Sequence, residues 1–128
     1  MKEIKPTYVT FEQAKWLKEK GFNEQLPSIF LDGELEILRS PISNNEFTTS
    51  RSYSASEQWQ VVEWLRVNHG IWVSCYPTSN PLKCQFRIYK NNNGVMSQVY
   101  DDYMGKEFNS PQEAYSAAFD YVLNNSLI

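Results

Sequence analysis

The stretch that decides the fold is Ser56–Tyr76, SEQWQVVEWLRVNHGIWVSCY. Val61, Val62 and Leu65 recur at helical spacing, Gly70 stops the run, and Ile71–Tyr76 follows as a short apolar strand. A helix passed into a strand through one glycine belongs to a chain that packs helices on a sheet.

The flanks repeat the same grammar. Ser54-Ala55-Ser56-Glu57, with Ser56 a rival cap, has the S/T-x-x-E/Q form of a capping box, in which two side chains satisfy free backbone N–H groups. Thr10-Phe11-Glu12-Gln13 and Ser110-Pro111-Gln112-Glu113 have it too, and Pro111 stands where a missing N–H costs nothing. Three helices are therefore expected, the first ending at Gly21, the second at Gly70 and the third near Asn125. Between them, Ser28–Leu31 and Glu34–Arg39 flank Asp32-Gly33, a two-residue hairpin signal. Cys84–Lys90 alternates, with Cys84, Phe86, Ile88 and Lys90 on one face and Gln85, Arg87 and Tyr89 on the other. Asn91–Gly94 is a turn, and Val95–Tyr103 is the return strand. Ser40–Tyr53, SPISNNEFTTSRSY, is polar and reads as a surface loop. The expectation is a single α+β domain over residues 1–128, a mostly antiparallel sheet with three helices in the order α-β-β-α-β-β-β-α.

Helical phase then sorts side chains. In the last helix Ala114, Tyr115, Ala118, Tyr121 and Val122 share one arc, a conventional amphipathic pattern. The middle helix differs, because Trp59, Trp64 and Val67 fall outside its Val61–Val62–Leu65 stripe. Such a helix either lies under other chain, for which Ser40–Tyr53 is available, or meets a partner. Trp16, Trp59 and Trp64 are the candidate interface residues.

Bulk properties exclude several functions. A net charge of -3 with 12 scattered Lys and Arg argues against nucleic acid as partner. No apolar run approaches the roughly 18 residues of a membrane span, so no membrane role is expected. MKEIKPTYVTF lacks the apolar core of a signal peptide, and two cysteines are too few for a disulfide scaffold, so the default location is cytoplasmic.

Candidate chemistry is sparse. His69 is the only histidine, which excludes a multi-histidine metal site, and it reads as a helix-terminal residue rather than a catalyst. Cys75 and Cys84 lie on adjacent expected strands without metal-ligand spacing, and Cys84 reads as a buried small apolar residue. Asp32, Glu34 and Glu36 surround one turn, and Asp101, Asp102 and Glu107 the last loop; turn geometry explains them better than acid–base chemistry. Phosphate-loop, dinucleotide, nucleophile-elbow and zinc-helix motifs are all absent. Phe86, Tyr89 and Tyr100 with Arg87 and Lys90 offer a base-stacking surface, opposed by the net charge. The chain is expected to be non-enzymatic and to carry no cofactor.

Four pieces resemble one family. Phe11–Phe22, Glu57–Val73 with its W-L-R-x-x-H-x-I unit, Phe86–Lys90 and the S-P-x-E-A segment of Phe108–Leu123 are similar to small proteins encoded by phages and prophages of gut Bacteroidetes and relatives. The resemblance implies a context, a virally encoded accessory protein in a bacterial cytoplasm, and no mechanism. In that context the leading expectation is a binding module acting on a host protein or on itself. The alternative is a small-ligand trap for a nucleotide signal, held between subunits, with Arg51, Tyr53, Arg66 and Arg87 as its ligand-binding residues. A hydrolase using carboxylates, or Cys75 with His69, ranks last.

Overall fold

The computed structural model describes residues 2–47, 51–79, 82–101 and 106–128. The chain forms two compact units, Met1–Glu57 and Gln58–Ile128. The fold is α+β with antiparallel strands in the expected order, divided between two three-stranded sheets.

In the first unit, α1 (Phe11–Glu19) begins at a complete capping box. Thr10 Oγ1 accepts from Gln13 N at 3.1 Å, and Gln13 Oε1 accepts from Thr10 N at 3.0 Å. It ends in a Schellman turn, with Gly21 N donating to Lys18 O and Phe22 N to Leu17 O. Leu17 and Phe22 are both buried, the apolar pair that accompanies this turn. β1 (Leu26–Leu31) and β2 (Glu34–Ile42) meet at Asp32-Gly33, both with positive φ, as a type I′ hairpin requires. β1 is central in the sheet order β2-β1-β3.

Ser40–Tyr53 departs from the expected loop. Residues Ser40–Ile42 complete β2, Asn44–Glu46 form a 3-10 turn, and Ser52–Ser54 form β3 on the free edge of β1. Residues 48–50 lie outside the described residues. Ser54 is consequently a strand residue paired with Ile29, not a helix cap, and its N–H goes to Asn44 Oδ1 at 2.8 Å. The helix starts at Gln58, and the Ser56 hydroxyl donates to the Glu57 carbonyl.

In the second unit, α2 (Gln58–His69) leads through Gly70 into β4 (Ile71–Pro77). Gly70 has φ +64°, and a Cβ there would stand 3.3 Å from the Asn91 carbonyl oxygen, so both the turn and the close approach require glycine. β5 (Cys84–Asn92) pairs with β4 and with β6 (Val95–Asp101) in the sheet order β4-β5-β6. β5 runs two residues beyond the expected Lys90 and turns at Asn93-Gly94. The end expected for β6, Asp102-Tyr103, lies outside the described residues.

α3 (Pro111–Asn124) has Ser110 as N-cap, its Oγ accepting from Glu113 N at 3.2 Å. Glu113 reaches past the cap to the N–H of Asn109 at 3.1 Å, so this capping box is offset by one residue. Ala114, Ala118, Phe119, Val122 and Leu123 are buried along it, as the helical phase requires. Under them lie Ile71, Val73, Phe86 and Ile88.

Candidate functional site

Two features of the second unit could engage another molecule. The first is the outward face of α2. Trp59, Glu63 and Val67 follow one another at i, i+4 and i+8, so they form one stripe. Trp59 is 62% exposed and Val67 66% exposed. Arg66 beside them makes a two-pronged contact with Glu63, Nε to Oε1 at 3.1 Å and Nη2 to Oε2 at 2.8 Å. That guanidinium holds the Glu63 carboxyl below its ordinary range. Arg66 also lies 5.4 Å from the ring centre of Trp72, which is 47% exposed. The ion pair holds the cation beside the exposed face of Trp72. Trp and Arg are the residue types that dominate binding energy at interfaces.

Trp64 does not join this stripe. It is only 7% exposed, and its ring meets His69 edge-on with centroids 4.7 Å apart. It is a core residue, because the buried arc of α2 is wide enough to include it along with Val61 and Leu65. Trp16, in the first unit, is 37% exposed.

The alternative ligand-binding residues divide between the two units. In the first unit, Arg51 pairs with Asp32 across the surface at 3.7 Å, and Tyr53 packs on Phe11 with centroids 5.5 Å apart. In the second, Arg66 serves Glu63 and Trp72, while Arg87 lies 4.4 Å from the ring centre of Tyr76. The base-stacking surface also divides. Phe86 and Tyr100 stack on each other at 4.5 Å and Tyr100 meets Tyr121 of α3, so both belong to the inner face. Tyr89 pairs with Trp72 in register and therefore lies on the opposite face.

The second feature is a cavity of about 410 Å³ at the start of α3. Phe108 and Cys84 exchange backbone hydrogen bonds of 2.8 and 3.0 Å, which brings the chain leading into α3 beside β5. The walls include Cys75, Tyr76, Lys83, Cys84, Pro111 and Tyr115. Cys75 is opposite Phe86 and Cys84 is opposite Pro77, so both thiols are on one face, offset by two residues. They are free thiols. Burial, reinforced by Cys84, pushes the Cys75 thiol up to about 12, with a hydrogen bond to Tyr115 acting weakly the other way. Burial and then the Glu113 carboxylate push Cys84 up as well. Neutral thiols are poor nucleophiles, so this pair lacks the activation that cysteine catalysis needs.

Among the described residues, no group of three or more His, Cys, Asp or Glu could hold a metal ion. No described helix is long and apolar enough to cross a membrane. Compared with known protein families, curated proteins and solved structures, the chain matches none. Sequence reasoning found Trp59 and missed Trp72 and the cavity. The shared face of Cys75 and Cys84 follows from the strand register, which no local pattern gives.

Proposed function

We propose that the chain is a non-enzymatic accessory protein of a phage or prophage that binds a protein of the host cytoplasm. The observation that carries the binding reading is the stripe of Trp59 and Val67 in solvent beside Arg66, which is braced by Glu63 and faces Trp72. Leaving two tryptophans and a valine in water forgoes burial worth about 2 kcal/mol for each large side chain, a cost that a partner surface recovers. The phage context is supported only by the resemblance of the W-L-R-x-x-H-x-I unit and the closing helix.

The test compares wild type with Trp59→Asp and Val67→Asp. Both positions are exposed, so each variant should unfold within about 0.5 kcal/mol of wild type. Native mass spectrometry of protein purified from a bacterial host should show a bound host protein or a self-associated species in wild type and bare monomers in both variants. A wild-type monomer that captures nothing from infected cells overturns the reading. So does association that survives both substitutions.

A further inference from the structure

The cavity at the start of α3 stands apart from the tryptophan stripe and invites its own chemistry. We propose that it is a binding site for a small uncharged aromatic molecule of the phenol or indole class, seated against Pro111 and Tyr115 with its polar atom toward the Cys75 thiol.

Size supports this. An apolar cavity of about 150 Å³ suffices for benzene, and small-molecule sites run from about 300 Å³ upward. A space of about 410 Å³ therefore admits one ring or two fused rings. The walls supply apolar surface from Pro77, Leu82, Pro111 and Tyr115. Ring-on-ring and ring-on-proline contacts are the natural partners of an aromatic ligand. One end is polar: the Cys75 thiol lies 4.0 Å from the Pro111 carbonyl and hydrogen bonds with the Tyr115 hydroxyl. A phenol O–H or indole N–H can enter that small network as donor.

Charge decides between this class and a nucleotide or other anion. Helix N-termini attract anions through free N–H groups, but at α3 part of that set is missing or engaged. Pro111 has none, Glu113 N donates to Ser110 Oγ, and Ala114 N donates to the Ser110 carbonyl. The Glu113 carboxylate already occupies the positive end of the helix, reaching the N–H of Asn109. Lys83 is the one cation among the described lining residues, and its ammonium donates to Asn109 Oδ1. The same surroundings that hold both thiols neutral disfavour a second negative charge.

The experiment is an amide NMR titration of the full chain with phenol and with indole, set against benzoate, indole-3-carboxylate, inorganic phosphate and AMP. Saturable shifts confined to residues 75–77, 82–84 and 109–115 are expected for the neutral rings. The anions should bind at least about tenfold more weakly, because burying an unpaired carboxylate costs more than the 1.4 kcal/mol of one decade. Cys75→Phe fills the cavity and should abolish the titration. Should that variant fail to fold, saturating indole must instead slow alkylation of Cys75 in wild type several-fold. The proposal is overturned by an absence of saturable shifts with either neutral ring, or by shifts that map elsewhere. Anions that bind as tightly as the rings, or indole that neither loses its site in Cys75→Phe nor protects Cys75, overturn it too. None of these readouts involves Trp59 or Val67, so its failure and that of the proposed protein-binding surface are distinguishable.

Discussion

In Met1–Glu57 the interior includes Gln13, Ser28, Asn44, Ser52, Ser54 and Ser56, whereas in Gln58–Ile128 the space beneath α3 is filled by Ile71, Val73, Phe86, Ile88 and Phe119. The first unit is joined by specific hydrogen bonds. Asn44 donates to the Phe22 carbonyl at 2.7 Å and accepts from Ser54 N at 2.8 Å, and the Ser28 hydroxyl donates to the Ala55 carbonyl at 2.6 Å. The second unit relies on ring contacts, Phe86 on Tyr100 at 4.5 Å and Phe86 on Phe108 at 5.8 Å. Apolar burial stabilises in proportion to area and tolerates imperfect geometry. Buried polar contacts gain little when made and cost much when broken. The two halves should therefore respond differently to small and large side-chain changes.

The largest effect is expected at Phe86. Phe86→Ala removes a ring from the inner face of β5 and leaves a cavity, at a cost of about 3–5 kcal/mol. Urea unfolding gives the total, and hydrogen exchange should show the loss of protection in β4, β5 and β6. In the first unit the matching substitution is Asn44→Ala. It removes the acceptor of the Ser54 N–H and the Asn44 donor to the Phe22 carbonyl together, at a cost of about 2 kcal/mol. Asn44→Asp should do no better, since a carboxylate keeps the acceptor for Ser54 N but cannot donate to Phe22. The contrast breaks if Asn44→Ala costs as much as Phe86→Ala, or if Asn44→Asp is neutral.

How far the sequence could reveal this depends on how local each determinant is. The capping box of α1, the Gly70 stop and the Asp32-Gly33 turn are settled by residues within four positions of one another, and the structure contains each. β3 was not readable, because Ser-Tyr-Ser becomes a strand only where Ile29–Leu31 offers a free edge, more than 20 positions away in the chain. Its pairing then overrode the cap that Ser54 advertises. Trp59 and Trp64 looked equivalent by phase, and only the width of the buried arc, set by the packing of His69 and Leu65, separates them. Trp72 escaped notice because its exposure depends on which face of β4 α3 covers. The cavity depends on Cys84 pairing with Phe108, a contact that no local pattern encodes.

Alkaline pH gives a smaller effect, confined to the second unit. Cys75 has its ordinary pKa of 9.0 when unfolded and about 12 when folded, raised chiefly by burial. Between those values the folded state binds a proton that the unfolded state has lost, so stability falls as pH rises. The contribution is intact below pH 9 and disappears progressively toward pH 12. Unfolding midpoints of wild type and Cys75→Ala, followed from pH 7 to pH 11, should therefore converge on the alkaline side. Parallel curves would mean that Cys75 is more open to water than its packing in the cavity wall implies.

The smallest expected effect has the opposite sign and tests the polar interior most directly. The Ser54 hydroxyl is buried and has no hydrogen-bond partner among the described residues, although its backbone N–H is well held by Asn44. A buried hydroxyl without a partner carries a desolvation cost and returns nothing. Ser54→Ala deletes that group, leaves the backbone pairing with Ile29 intact and should raise stability by about 0.5–1 kcal/mol. A midpoint that rises in urea with an unchanged slope would show that the polar character of the first unit lies in Asn44, Gln13 and Ser28 and not in every buried serine. A midpoint that falls by about 1 kcal/mol would mean that the hydroxyl has a partner in solution, with an ordered water the first candidate. The polar network would then be broader than the contacts of Asn44 alone.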